Sequence, residues 1–262
     1  MSLIQEESTG EAPSGLRPRH RRALRRAIYE ILLVAVLFMA YKIGRVAADG
    51  HVGEALANAE HVWNLERALH MPSEYALQQL FIAHQWLIKA ANCYYAYVHF
   101  PATAAALIWL YIRRPGLYVP TRRLLAWLTA AALVVHLLFP LAPPRMLGDV
   151  GMVDTGRLFG PAVYGSPATD TLTNQYAAMP SLHVGWALAV AIALIGATTS
   201  RWRWLFLAHP ALTLLVVVVT GNHYWLDAVV ATALLGVVAA VLNAKATASK
   251  APAIPKPRVG HI

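Results

Sequence analysis

Met179-Pro180-Ser181-Leu182-His183 opens a long apolar run that ends at Ala197, and Gly221-Asn222-His223-Tyr224-Trp225-Leu226-Asp227 opens another that ends at Leu242. Runs of this length and apolarity read as membrane helices, so the chemistry stands where helices begin. Pro180 fits a first helical turn, where its missing N–H costs nothing. The amides around Ser181 to His183 then leave the helix end without intrahelical partners, an arrangement that binds anions and phosphate above all. His223 and Asp227 are spaced i, i+4. On a helix they share a face, with Cβ atoms about 6 Å apart. The carboxylate can then accept Nδ1–H and leave Nε2 free as base or nucleophile. Two histidines, an orienting carboxylate and a phosphate-ready helix end point to phosphoryl transfer at a membrane surface.

Composition agrees. Of 262 residues, 58% are hydrophobic and 13% charged, with mean hydropathy +0.47, which excludes an ordinary soluble domain. Cys93 is the single cysteine, so no intrachain disulfide forms. The formal charge is +9. Arg17, Arg19, Arg21, Arg22, Arg25 and Arg26 precede an apolar run. They read as a topogenic anchor and not as a nucleic-acid surface. Residues 27–43 are long for a signal-peptide core, and Ala47-Ala48-Asp49 is a poor cleavage site, so the run reads as an uncleaved span.

The expected fold class is all-α: a polytopic membrane protein with six transmembrane helices and one or two interfacial helices on the outer side. The spans fall at 27–45, 95–112 (with a kink expected at Pro101), 124–141, Leu182–Ala197, 205–219 and 224–242. Residues 49–71 read as an amphipathic helix on the membrane, and 73–92 as a polar helix that is either interfacial or the buried lead-in to the second span. Arg113, Arg114, Arg122 and Arg123 bracket an expected turn around Pro115-Gly116 and Pro120. The loop 142–178 is long for a plain connection and reads as a cap or substrate-contact segment. Residues 1–26 form an expected disordered basic N-terminus, 27–244 the membrane domain with its catalytic part about 139–230, and 245–262 a disordered tail. With six spans, 16 of the 22 Lys and Arg residues share a side with both termini. The positive-inside rule makes that side cytoplasmic and places Arg145, His183, His223 and Asp227 at the extracytoplasmic face, with the plasma membrane as the expected location.

Pro180-Ser181-Leu182-His183, followed by His223-Tyr224-Trp225-Leu226-Asp227, resembles the type 2 phosphatidic acid phosphatase (PAP2) superfamily. That family carries a Pro-Ser-x-His and a later His-x-x-x-Asp motif on a six-helix core. Leu182, Gly221-Asn222 and Phe139-Pro140-Leu141-Ala142-Pro143-Pro144-Arg145 are closer to the branch of inositol phosphorylceramide synthases. The resemblance is specific over about 139–230. It departs where phosphatases carry an upstream lysine, here the apolar end of the third span, and a Ser-Arg pair, here Val216-Val217. Two cationic phosphate clamps are therefore missing, which argues against simple phosphatidate hydrolysis.

The resemblance implies that His223 is the nucleophile on phosphorus, Asp227 its orienting carboxylate and His183 the acid and then base. Arg145, Ser181 and Asn222 are the expected phosphate contacts, with no cofactor and no metal. The partners are the bilayer, a lipid phosphate and a polyol or sugar acceptor, without nucleic acid. The implied activity is a lipid-phosphate phosphotransferase of inositolphosphotransferase type. A lipid or polyprenyl phosphate phosphatase and a non-catalytic lipid-phosphate binder or transporter stay open beside it. So does zinc on His183, His223 and Asp227. His84, His99, His136 and His209 read as packing residues.

Overall fold

The computed structural model describes residues 51–163, 165 and 175–248, with six helical positions before them: Arg25, Ile28, Tyr29, Leu32, Val36 and Met39. Those six belong to a separate unit, Met1–Ala40. Apart from them, the basic N-terminus and the expected first span lie outside the described residues, as do residues 249–262 of the expected tail.

Among the described residues the chain is helical, without a named strand. Helices α1 (Val52–Ala68), α2 (Glu74–Ile82) and α3 (Gln85–Cys93) come first. A π-turn (Tyr94–Val98) continues α3 into α4 (His99–Arg113). Next come α5 (Pro115–Leu138), short 3-10 turns at Pro144–Met146 and Gly148–Val150, and α6 (Thr155–Phe159). The last helices are α7 (Leu182–Ala197), α8 (Ala208–Val219), entered through the 3-10 segment Arg201–Leu207, and α9 (Trp225–Ala248). Four described segments are long and apolar enough to cross a membrane: Gln85–Arg113, Pro115–Leu138, Arg201–Val219 and Trp225–Thr247. Leu182–Ala197 is apolar but shorter. Its 16 residues extend about 24 Å, less than a hydrocarbon core of about 30 Å.

Helix α7 is the hub, packing against α4, α5, α8 and α9. Small residues let neighbours approach: a Cβ on Gly185 would meet Leu128 of α5 at 3.1 Å and Ala231 of α9 at 3.8 Å. Trp186 adds a hydrogen bond to α5, its Nε1–H donating to Thr129 Oγ1 at 3.0 Å. Arg114 Nε donates to the carbonyl of Ala197, tying the α4–α5 junction to the end of α7. One end of the bundle therefore gathers Arg113, Arg114, Arg201 and Arg203. The opposite end gathers the close of α5, the start of α7, the close of α8 and the start of α9.

Several boundaries differ from the sequence reading. The turn expected across 113–123 is made at Arg114 alone, because Pro115 is tolerated at the first helical position and α5 starts there. Pro101 does not interrupt its span; it follows the π-turn, where the hydrogen-bond ladder has already changed register. The helix expected at 73–92 is two, separated at Ala83 and His84. Helix α9 continues to Ala248, past the expected tail boundary. Pro180 precedes the helix instead of starting it: Ser181 is the N-cap, its Oγ accepting the Val184 amide at 3.5 Å.

Above the site end, α1 lies across the 139–147 segment. Ala55, Ala59 and Val62 pack with Leu141, Ala142, Leu147, Met179 and Tyr224. Asn58 donates to the Pro140 carbonyl at 2.9 Å, and the Ala142 amide donates to the Ala55 carbonyl at 3.1 Å. Leu141 also pairs in parallel with Ala177, which brings the segment before Pro180 alongside the one before Arg145.

Candidate active site

The close of α8 fixes the position of His223. Gly221 has φ +70°, and its amide bonds to the Val218 carbonyl while that of Asn222 bonds to Val217. This is a Schellman ending, which needs a residue tolerant of the left-handed region. It turns the chain sharply, so that Asn222 and His223 stand between α8 and α9. His223 therefore sits ahead of α9 and not on it. Its Nδ1 nevertheless lies 3.0 Å from Asp227 Oδ2 and 2.8 Å from the Ala178 carbonyl oxygen.

A carbonyl oxygen can only accept, so Nδ1 carries the hydrogen and Nε2 holds a lone pair. Oδ2 of Asp227 also accepts the Tyr224 amide at 2.9 Å, while Oδ1 is buried without a described partner. Asp227 is fully buried and His223 is 6% exposed, so water is largely excluded from the pair. Burial holds the His223 imidazole below its ordinary range, at about 4. The Arg145 guanidinium pushes the same way, and the Ala178 carbonyl opposes. A neutral imidazole at neutral pH is the form that can attack phosphorus.

His183, the second residue of α7, is brought beside it, with ring centroids 5.7 Å apart and planes at 62°. Its Nε2 is buried without a hydrogen-bond partner among the described residues. Tyr95 stacks on His183 at 4.7 Å and 27°, presented by the π-turn. His99 follows at 4.9 Å from His183, so it belongs to the site's wall and not to remote packing. His136 and His209 keep packing contacts: His136 Nε2 lies 3.2 Å from the Pro180 carbonyl oxygen, and His209 Nδ1 lies 2.7 Å from the Tyr94 hydroxyl.

Arg145 stands on the 3-10 turn Pro144–Met146 with its side chain only 4% exposed. Its Nη1 donates to Asn222 Oδ1, its Nε is 3.5 Å from Asp154 Oδ2, and its amide donates to the Gly221 carbonyl. Asn222 is steadied by donating to Thr220 Oγ1 at 2.8 Å. Ser181 is buried, and its amide donates to the Asp227 backbone carbonyl at 3.1 Å. Its hydroxyl oxygen serves the Val184 cap, which leaves the hydroxyl hydrogen to give. The start of α7 therefore offers fewer amides to an anion than its sequence suggests. A small cleft beside Asn222 is walled by Asn92, Tyr95, Asp154 and Gly156 among others.

All six expected site residues thus meet at one end of the bundle. Among the described residues, no group of three or more His, Cys, Asp or Glu is arranged to hold a metal ion. Asp227 Oδ2 is turned to His223 Nδ1 and to an amide. Tyr95 and Gln78 were not anticipated. Gln78 is fully buried and donates to the Val153 and Val219 carbonyls while accepting the Val153 amide, clamping the 142–163 segment onto the end of α8.

A family profile described as the PAP2 superfamily matches residues 60–241. Neither a curated protein nor a solved structure matches the chain.

Proposed function

Because the chain belongs to the PAP2 superfamily, we propose that it is an integral-membrane lipid-phosphate phosphotransferase that works through a phosphohistidine on His223. Membership itself points to phosphatase-type chemistry on lipid phosphates. The observation that carries the histidine assignment is the double hold on Nδ1 by Asp227 and Ala178, which leaves Nε2 as the free nucleophile beside His183.

In the first step Nε2 forms a bond to phosphorus as the bond to the donor oxygen breaks, and His183 gives that oxygen its proton. In the second step an acceptor hydroxyl loses its proton to His183 and takes the phosphoryl or phospho-headgroup from His223. Asp227 offsets the positive charge on the phosphorylated ring. Arg145, the Ser181 hydroxyl and Asn222 meet the equatorial oxygens, where transition-state charge accumulates. The absence of the two cationic clamps of the phosphatase pattern supports an alcohol such as inositol or a sugar as acceptor over water. Water as acceptor makes the same site a lipid or polyprenyl phosphate phosphatase.

The six-span arrangement, cytoplasmic termini and an extracytoplasmic site in the plasma membrane belong to the same reading. Its support is the separation of the arginine end from the site end along α7. The test is a panel of phosphatidate, polyprenyl phosphates and phosphoinositol lipids offered to purified protein, with and without polyol acceptors and with chelator present. Products are identified by mass spectrometry. Headgroup transfer to the polyol supports the proposal; inorganic phosphate alone selects the hydrolase. A bound but unchanged lipid across the panel overturns both.

A further inference from the structure

Helix α9 begins without a cap of its own. Its N-cap position is Tyr224, whose side chain is turned away and donates to the Ala142 carbonyl at 3.1 Å. Asp227, three residues on, reaches back to the Tyr224 amide and so completes half of a capping box. The oxygen that an N-cap side chain gives to an N2 or N3 amide comes instead from 160 residues away: Glu66 Oε1 accepts the Leu226 amide at 2.7 Å. Glu66 lies at the end of α1, where His70 takes a positive φ of 55° and the Met71 amide returns to the Glu66 carbonyl. The elbow that follows is pinned to the same helix start, Trp225 Nε1 donating to the Pro72 carbonyl at 2.9 Å.

The electrostatics of this elbow are unusual. Glu66 and Glu74 are both fully buried, and Arg67 is the guanidinium between them, 2.7 Å from Glu74 Oε2 and 3.8 Å from Glu66 Oε2. Among the described residues, Asp227 and the Tyr224 hydroxyl are the other titratable groups that face Glu66. Oε2 of Glu66 and Oε1 of Glu74 are buried acceptors that no described donor reaches. A proton shared by the two neighbouring carboxyl groups would satisfy both oxygens and cancel the charge that Arg67 does not balance.

We propose that Glu66 is a positioning residue for the Asp227–His223 pair: its carboxyl group caps α9 from outside the helix, and a proton shared with Glu74 keeps that cap closed. The inference rests on the phosphohistidine reading, since it concerns the helix start that carries Asp227. Burial and the neighbouring Glu74 raise Glu66 to about 9, against the Leu226 amide, so the shared proton survives at neutral pH. Above that range Glu66 becomes a carboxylate beside Asp227, and the elbow is pushed off the helix.

The test compares Glu66→Ala, Glu66→Gln and His223→Ala in the full-length protein with the best donor of the panel. Amide hydrogen exchange over residues 224–228 is measured in parallel. Glu66→Ala is expected to lower kcat about 10–100-fold with KM within about threefold, because misplacement of a reacting group acts on the chemical step. It also speeds exchange at the start of α9. Glu66→Gln keeps the acceptor oxygen and recovers kcat to within about threefold of the parent at pH 7. It lacks the parent's fall in activity above about pH 9. Parent-like kcat and exchange in Glu66→Ala, or an unchanged alkaline fall in Glu66→Gln, overturns the proposal. An inactive His223→Ala beside a parent-like Glu66→Ala removes only the role of Glu66; a fully active His223→Ala removes the phosphohistidine reading itself.

Discussion

His223 Nδ1 sits 3.0 Å from Asp227 Oδ2, although only Asp227 stands on a helix. The i, i+4 contact expected of two helical residues is made instead across a helix start, with the Ala178 carbonyl as a second acceptor. Asp227→Asn keeps an oxygen for the Tyr224 amide but loses the negative charge that offsets a phosphorylated ring. Turnover is expected to fall roughly 10²–10⁴-fold with the fold intact, read as kcat beside circular dichroism of the purified protein.

His183→Gln tests the acid–base role separately. With an ordinary alcohol leaving group, kcat falls about 10²–10⁴-fold. A lipid phosphate bearing an aryl leaving group needs no proton, so its first step recovers, and phosphoenzyme accumulates because the second step still lacks its base.

The pH dependence follows from the neutral state of His223. Its folded value of about 4 lies below the ordinary 6.5. Between those values the unfolded chain binds a proton that the folded protein does not. Stability from this group is therefore complete above 6.5 and is lost as pH falls through about 4. Arg145 contributes to the depression, so Arg145→Gln moves the acidic limb of kcat/KM to higher pH. A limb at the parent's position in Arg145→Gln shows that the guanidinium is not close to the nucleophile.

Gly221→Ala strains the turn that presents Asn222 and His223. At φ +70° the added Cβ would also meet Arg145 Cβ at 3.1 Å and Gln78 Nε2 at 3.2 Å. The left-handed conformation alone costs about 1–2 kcal/mol. A lower melting temperature and a raised KM for the phosphate donor are expected together, since the same atoms hold Arg145.

Much of this was legible because the chemistry lies next to helix boundaries. The run after Ser181 gives α7 its bounds of Leu182–Ala197, and His183, Asn222, His223 and Asp227 are all within a few residues of a helix start or end. The α1–α2 elbow was not legible. A reading of 49–71 as an interfacial helix sends its charges to water, whereas Glu66 is fully buried, together with Glu74 and Gln78 of the next stretch. A signal was present: Glu66 continues the stripe of Ala55, Ala59 and Val62 that α1 buries. Its partner is Leu226, and spacing along one chain carries no trace of a contact 160 residues away. Tyr95 was hidden for a different reason: the π-turn shifts its register, so no 3.6-residue pattern marks the face it shares with His183.

The central claim is a covalent phosphohistidine at His223. The direct measurement is a rapid alkaline quench during turnover, which preserves phosphohistidine, followed by peptide mass spectrometry. The account predicts a phosphoryl or phospho-headgroup adduct on His223 that forms and decays at the rate of turnover and is lost, with activity, in His223→Ala. Full turnover by His223→Ala, or an adduct on another residue that keeps pace with turnover, contradicts it.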